Sequence, residues 1–362
     1  MSMSQRSAAK REPLDGLQRS RYRKIKDINS GSYGFVQLCQ DTRTNEQVAV
    51  KFIERGEKIT KYVERELLNH NRLLHPHIIQ FKEVFLTNEF LGIAMEFAPG
   101  GDMFQYVKQR NGLQEYEARW FFQQLIIALD YCHKIGVVNR DIKLENTLLD
   151  NSKRPLVKMC DFGYSKHAKD SLPKSKVGTP GYTAPEVISN KKHYDGVMAD
   201  VWSSGVMLYV MLFGQYPFER PEDKKEANRF QKVLYRIIAV DYHFPTRSPH
   251  GVVSEACKDL MRRIFVADPK KRITIPEIQA HPWYQQDLPP GLTGFNDVCL
   301  AQQGQSGAPL SAQTEEQIKA TVQEAKVVRF SNSDQPVFHD DQDTDYIDDV
   351  MDQEYSYTAC EF

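Results

Sequence analysis

The chain has 362 residues, 41% apolar and 26% charged, enough for one large core or two moderate ones. No apolar run reaches the ~18 residues of a membrane span, and the first 20 residues lack an apolar signal segment. Six cysteines (39, 132, 160, 257, 299 and 360) lie without C-x-x-C spacing, so reduced thiols in the cytosol or nucleus are expected and a zinc site is not.

Residues 1–20 are polar and expected to be disordered. From Arg21, alternation through Tyr22, Lys24 and Ile28, a glycine-bearing turn, and then Phe35, Val36 and Leu38 predicts a β-hairpin. In its turn, Gly31 and Gly34 let the backbone lie close over a phosphate. A strand follows, Val48-Ala49-Val50-Lys51, with one charge at its end. Fifteen residues later Glu66 sits in a helical segment, Tyr62 to Leu74, whose apolar positions are Val63, Leu67 and Leu74. A Lys51 to Glu66 ion pair is expected, and His75-Pro76 ends the helix. Strands are predicted at 78–85 and 90–97 before Pro99-Gly100-Gly101 breaks the chain. Beyond this the pattern is helical. Ala118, Phe121, Phe122, Leu125, Leu129 and Cys132 form one stripe that Gly136 stops, and Val201 to Leu212 reads as a buried helix.

The chemistry concentrates between 138 and 161. Asp141, Lys143 and Asn146 share one turn, and Asp161 follows a short apolar strand. Moving a γ-phosphoryl group needs a carboxylate to orient the acceptor hydroxyl, oxygen ligands for magnesium and a cation against the phosphate. Asp141 suits the first role, Asn146 and Asp161 the second, and Lys143 the third. Next comes a polar segment, His167 to Lys176, in a stretch whose phosphorylatable hydroxyls are Ser171, Ser175 and Thr179. A phosphate on Ser175 would pair with Arg140 and order the loop. Asp200 is expected to cap backbone amides of the catalytic loop, and Arg272 to pair with Glu186.

Asn29-Ser30-Gly31-Ser32-Tyr33-Gly34, the Lys51 strand, Asn139-Arg140-Asp141, Asp161-Phe162-Gly163 and Ala184-Pro185-Glu186 together resemble the eukaryotic protein kinases over residues 22–284. Lys143 two residues after Asp141, with Thr179 ahead of Ala184, is similar to the serine/threonine kinases. The run Asp161 to Lys166, with Pro173-Lys174-Ser175, resembles the sucrose-non-fermenting-related kinases of plants and green algae, subfamily two, the osmotic-stress kinases.

The resemblance implies an α+β bilobal fold. A disordered segment (1–20) precedes a kinase domain (21–284) with a β-rich N-lobe (21–98) and a helical C-lobe (99–284). Then come a linker (285–313), a regulatory helix (314–328) and an acidic tail (329–362). It further implies ATP and magnesium as cofactors. Ile28, Gly31, Gly34, Val36, Ala49, Lys51 and Glu66 would serve the nucleotide, as would Met95, the hinge residues Glu96 and Ala98, Asp102 and Leu148. The helix Thr314 to Ala325 would turn Ile318, Thr321, Val322 and Ala325 toward the small lobe near the Glu66 helix. Its threonine start with Glu315, Glu316 and Gln317 is a capping pattern on physical grounds too. Residues 334–362 hold ten Asp or Glu and no Lys or Arg, leaving +9 on residues 1–333 of a chain whose net charge is −1. Such a tail can fold back on a basic face or recruit a basic partner; in relatives it binds type 2C phosphatases.

Partners expected are therefore protein substrates, such a phosphatase and an upstream kinase, with no nucleic acid and no membrane, in cytoplasm and nucleus. Asp102 and Glu145 match positions that receive an arginine three residues before the target hydroxyl; Asp102 is alternatively a ribose ligand. Two positions depart from the family: Asn29 replaces a glycine, and Asn139 replaces the histidine before Arg140-Asp141. A shorter amide there predicts a less rigid active state. The alternative to an active kinase is a catalytically impaired nucleotide-binding scaffold, which rests on those two asparagines.

Overall fold

The structure, a computed structural model, describes residues 13–31, 34–162, 166–167, 180–189, 194–306 and 313–327. In chain order its helices and strands are α1 (Gly16–Arg21), β1 (Tyr22–Gly31), β2 (Gly34–Asp41), β3 (Gln47–Glu54), α2 (Lys61–Asn71), β4 (Phe81–Leu86), β5 (Phe90–Glu96), α3 (Met103–Arg110), α4 (Glu115–Ile135), β6 (Val137–Val138), β7 (Thr147–Leu149), β8 (Val157–Met159), β9 (Lys166–His167), α5 (Pro185–Ser189), α6 (Gly196–Phe213), α7 (Arg229–Ala239), α8 (Glu255–Ile264), α9 (Ile275–Ala280), α10 (Pro282–Gln285), α11 (Phe295–Ser306) and α12 (Glu315–Ala325). They form two compact units.

The first unit takes described residues 13–71, 80–97 and 313–327. Its antiparallel sheet runs β1-β2-β3-β5-β4. Because strand residues alternate between faces, Val36, Ala49, Lys51, Ile93 and Met95 share one side, held in register by the pairs Val36 with Lys51, Lys51 with Ile93 and Ala49 with Met95. Toward one end of that side, Ile53, Leu91 and Ile93 pack with Leu67 of α2 and with Ile318, Val322 and Ala325 of α12. The opposite side, with Val48, Val50, Phe52 and Ala94, is closed by Tyr22, Phe85, Phe90 and Leu14.

Residues 13–20, expected to be disordered, are built into this unit. Leu14 is buried, Asp15 accepts the Asn88 N–H at 3.0 Å, and the Thr42 hydroxyl reaches Ser20 O at 2.6 Å. The predicted Glu66 helix is shorter than expected: α2 ends at Asn71, and Leu74 lies beyond it, 40% exposed, with its N–H on Tyr131 Oη at 2.8 Å.

The helix expected at 314–328 is α12. Thr314 and Gln317 form the capping box, and Ile318, Val322 and Ala325 are fully buried. Thr321 instead turns its hydroxyl onto Gln317 O at 2.9 Å. Both ends of the helix are fastened. Gln313 exchanges two hydrogen bonds with the backbone of Val84 on edge strand β4 (2.7 and 2.8 Å). At the other end Arg55 donates to Glu324 O and Val327 O (2.8 and 3.0 Å), and the Gly56 N–H reaches Ala325 O at 3.0 Å.

The second unit takes described residues 72–79 and 98–306 and is mainly helical. α4 is the predicted striped helix, closed by Gly136 at φ 87°, a left-handed position that favours glycine. α6 is long and apolar enough to cross a membrane, but 83% of it is buried inside this unit, as a core helix is. The 285–313 linker carries a helix of its own, α11. A buried polar anchor fixes it: Asn296 donates to Ile127 O (2.9 Å) and Asp130 (2.7 Å) and faces His75 Nε2 at 3.2 Å.

His75 and His77 are both buried, and geometry makes His75 neutral. His75 Nδ1 accepts the His77 N–H at 3.1 Å, which leaves its proton on Nε2 toward Asn296, and His77 Nδ1 meets Val157 O at 3.2 Å. Burial pushes His75 down to about 3 and His77 down to about 4. Unfolded histidine protonates near 6.5, so below that pH the unfolded chain gains protons that the folded chain refuses. Stability is expected to be intact above pH 6.5 and to fall between 6.5 and about 4, by up to about 1.4 kcal/mol per pH unit for each histidine. Urea titrations at pH 7, 6 and 5 check this, with a shallower fall expected for His77→Asn.

Candidate active site

In the first unit, the β1–β2 hairpin brings Gly31 opposite Gly34; Ser32 and Tyr33 lie outside the described residues. Gly34 has φ 145°, and a Cβ there would stand 2.0 Å from Phe52 O, so the close approach excludes any side chain. Asn29 accepts the Ser30 N–H on its own Oδ1 at 2.8 Å, a local turn bond that suits asparagine where glycine was expected. Ile28 is 43% exposed, Val36 and Met95 are half-buried, and Ala49 is buried.

Lys51 Nζ lies 3.3 Å from Glu66 Oε1, as the spacing predicts, with both side chains partly buried. At the end of β5, Glu96 gives its N–H to Gln80 O at 2.9 Å, and its carboxylate accepts the Gln80 N–H at 3.1 Å. Ala98, buried, begins the second unit.

In the second unit, the β7–β8 hairpin sets the metal-ligand register. Thr147 pairs with Met159, and the Cys160 N–H reaches Asn146 O at 3.0 Å, so Asn146 and Asp161 emerge at the same open end. Asn146 spends its amide hydrogens on Asp141, at O (3.1 Å) and Oδ2 (2.7 Å). Among the described residues its Oδ1 takes no hydrogen bond.

Lys143 Nζ stands 2.7 Å from Asp141 Oδ2. Burial raises the Asp141 carboxyl above its usual range; the Lys143 charge opposes this and the Asp161 charge adds to it. For Lys143 burial acts downward, but the Asp141 charge and hydrogen bond, with the charges of Glu145 and Asp161, together outweigh it and hold the ammonium above its ordinary value.

Asp161 is exposed, with a left-handed backbone (φ 61°), while Phe162 anchors in the core. Arg140 is left-handed too (φ 68°). Such positions cost about 1–3 kcal/mol outside glycine and persist where surrounding bonds impose them. Asp200 supplies part of that: its carboxylate accepts the N–H groups of Asn139 (3.1 Å) and Arg140 (2.7 Å), as expected.

His133 also joins Asp200, at 2.8 Å, a role with no sequence signal. Asn139 is 1% exposed and has a partner for each end of its amide.

Asp102 caps α3, accepting the Gln105 N–H at 2.8 Å, and bridges to Leu148, half-buried on β7. Arg272 pairs with Glu186 through two bonds (2.7 and 2.8 Å) and also holds Met198 O and Val266 O, so this buried pair is fully satisfied. Ser171, Ser175 and Thr179 lie outside the described residues, as does the tail from residue 328.

A hydroxyl-orienting carboxylate beside a lysine, two oxygen donors at one hairpin end, and a lysine–glutamate pair beneath a glycine turn are the parts of a phosphotransferase of the protein kinase class. Residues 22–284 match the protein kinase domain, and the chain belongs to that family. It is 51% identical over 308 residues to serine/threonine-protein kinase SRK2E of Arabidopsis thaliana, covering 85% of this chain and 82% of the relative. It is also 50% identical to SAPK2 of Oryza sativa subsp. japonica (84% of this chain, 88% of the relative) and to SRK2A of Physcomitrium patens (85% and 86%), both serine/threonine-protein kinases. The protein is accordingly an ATP-dependent serine/threonine kinase of this group.

The residues fit MgATP. Among the described residues no group of three or more His, Cys, Asp or Glu could hold a metal by itself. Magnesium bound with a nucleotide is typically held through one or two protein oxygens plus phosphates. Asp161 and Asn146 Oδ1 would be those oxygens, and magnesium held there would offset charge on the phosphates. Lys51, paired with Glu66, would meet phosphate charge. Asp141 would orient the acceptor hydroxyl and take its proton, a task its raised pKa suits. Lys143 would keep the base in place and offset charge as the phosphoryl group moves.

Proposed function

We propose that this kinase acts on serine and threonine in basic contexts, with arginine three residues before the target hydroxyl. The supporting observation is Glu145, in the catalytic loop. Its Oε2 is buried and has no hydrogen-bond partner among the described residues. Burial raises its carboxyl, and the charges of Asp141 and Asp102 add to that. A buried carboxylate oxygen without a donor is costly, and a substrate guanidinium supplies donors and the opposite charge. The test compares kcat/KM for a serine peptide carrying arginine at minus three with its alanine analogue. Wild type is expected to favour arginine, and Glu145→Gln to lose about tenfold of that preference. Equal kcat/KM for both peptides in wild type would refute the reading.

The proposal extends to osmotic or nutrient stress signalling in cytoplasm and nucleus, with an upstream kinase acting on Ser175 and a type 2C phosphatase engaging the acidic tail. The loop motif around Ser175 and the tail composition support it. Mass spectrometry of Ser175 before and after hyperosmotic treatment decides it: unchanged phosphate occupancy would remove the stress role.

A further inference from the structure

Within the second unit, α3, α4 and the β7–β8 turn share a face whose cations have no carboxylate partners in the folded domain. The guanidinium of Arg110 lies 3.5 Å over the Tyr106 ring, and that of Arg154 lies 3.7 Å over the Trp120 ring. The two stacks are neighbours. Tyr106 Oη donates to Glu117 Oε1 at 2.7 Å, and Glu117 and Trp120, three residues apart on α4, lie on one side of that helix. Trp120 is fixed in turn by its indole N–H on Pro155 O at 2.9 Å. Arg110, Lys153 and Arg154 are all exposed.

Among the described residues none of these three cations forms an ion pair; the Arg110 guanidinium donates only to Tyr106 O, at 3.2 Å. By contrast Arg229, Arg262 and Arg263 of the same unit meet Glu219, Glu255 and Asp259 at 2.7, 3.3 and 2.9 Å. Glu117 and Asp150, which flank the face, are already engaged, the first by Tyr106 and the second by the Ser152 hydroxyl and the Leu156 N–H. Stacking holds each guanidinium in place and leaves its N–H edges to acceptors. The result is a pre-ordered cluster of positive charge set among aromatic rings.

We propose that this face is the docking surface for the acidic tail of the same chain, residues 334–362, which lie outside the described residues. The chemistry is complementary: the tail has ten Asp or Glu and no Lys or Arg, with Tyr346, Tyr355 and Tyr357 among them. Its acids meet the guanidinium edges, and a tyrosine ring can cover the outer face of a stacked arginine. One exposed ion pair is weak, but a pre-ordered cluster engages several acids together. Length does not limit the contact. Residues 328–362 span about 115 Å at full extension, against a radius of gyration of about 19 Å for some 300 folded residues. The tail is thus held on the enzyme until a more strongly basic surface competes for it.

Zero-length carbodiimide coupling of the full-length chain tests this, because it joins a lysine amine only to a carboxylate in contact with it. Lys153 is expected to couple to Asp or Glu of 334–362 within single chains. The yield should fall about tenfold in Arg110→Glu/Arg154→Glu, and likewise in about 0.5 M salt. A tail variant, Asp345→Asn/Asp348→Asn/Asp349→Asn, leaves the folded domain untouched and should lower the yield in the same direction. Lys270→Glu/Lys271→Glu reverses two exposed cations before α9 and should leave it unchanged.

An equal mixture of isotope-labelled and unlabelled chains identifies the occupant. Products joining labelled to unlabelled chains would assign the face to the tail of a second copy and overturn the proposal. It would equally be overturned by an absence of tail coupling at Lys153, or by couplings spread over many lysines at yields that Arg110→Glu/Arg154→Glu does not change.

Discussion

Asp141→Asn is expected to lower kcat by about 10²–10⁴ at saturating MgATP and peptide, with nucleotide binding retained. The carboxylate is the meeting point of Lys143 Nζ at 2.7 Å and Asn146 Nδ2 at 2.7 Å. Both are donors, and each needs an acceptor. Both meet the same oxygen, Oδ2, so the variant amide can keep both bonds by setting its one oxygen there, and what is lost is the negative charge beside Lys143. The variant also cannot take a proton from the acceptor hydroxyl. Because the substitution is isosteric, folding should survive. Single-turnover transfer measured beside fluorescent-nucleotide binding separates the outcomes, and a kcat within tenfold of wild type would remove Asp141 from the base role.

The second large effect is expected at α12, far from the reacting groups in sequence. Val322 and Ile318 are fully buried against the sheet and α2. Val322→Asp forces a carboxylate into that apolar cluster and should cost about 3 kcal/mol or more, enough to free the helix. Gln323 would then lose its bond to Glu64 of α2 (3.0 Å), and α2, which carries Glu66, would lose its outer packing. The Lys51 to Glu66 pair should loosen, with kcat/KM for ATP down about tenfold or more. Hydrogen exchange should rise in residues 315–325 and 61–71 together. Lys319→Ser, on the exposed face of the same helix, should change neither readout. Fast exchange in α12 with undiminished ATP utilisation would break the link between this helix and catalysis.

Legibility in the sequence followed the kind of force at work. Lys51, Glu66, Asp200, Glu186 and Arg272 were readable because their pairings join fixed motif positions, and the structure brings each to its partner. The apolar face of α12 was readable because burial at helical spacing leaves a pattern, except at Thr321, whose hydroxyl found a turn of its own helix. Where polar anchors decide the structure, the pattern is silent. α11 is fixed by one buried asparagine and α1 by contacts to a distant turn, and neither has a strong apolar period. Asn139 shows the same limit inside the site. Its residue type suggested a weakened contact, but its partners are main-chain groups that only the folded loops bring within reach.

The paired hydrogen bonds between Gln313 and Val84 have a consequence for solubility. β4 is an edge strand of the sheet, and an edge strand offers unpaired N–H and C=O groups on which another molecule's strand can template itself. Gln313 occupies one such rung with a side-chain amide that imitates a backbone unit, and α12 packs against the same strand. Light scattering should therefore register self-association when residues 313–327 are deleted. The segment that steadies the nucleotide lobe would also be its guard against aggregation.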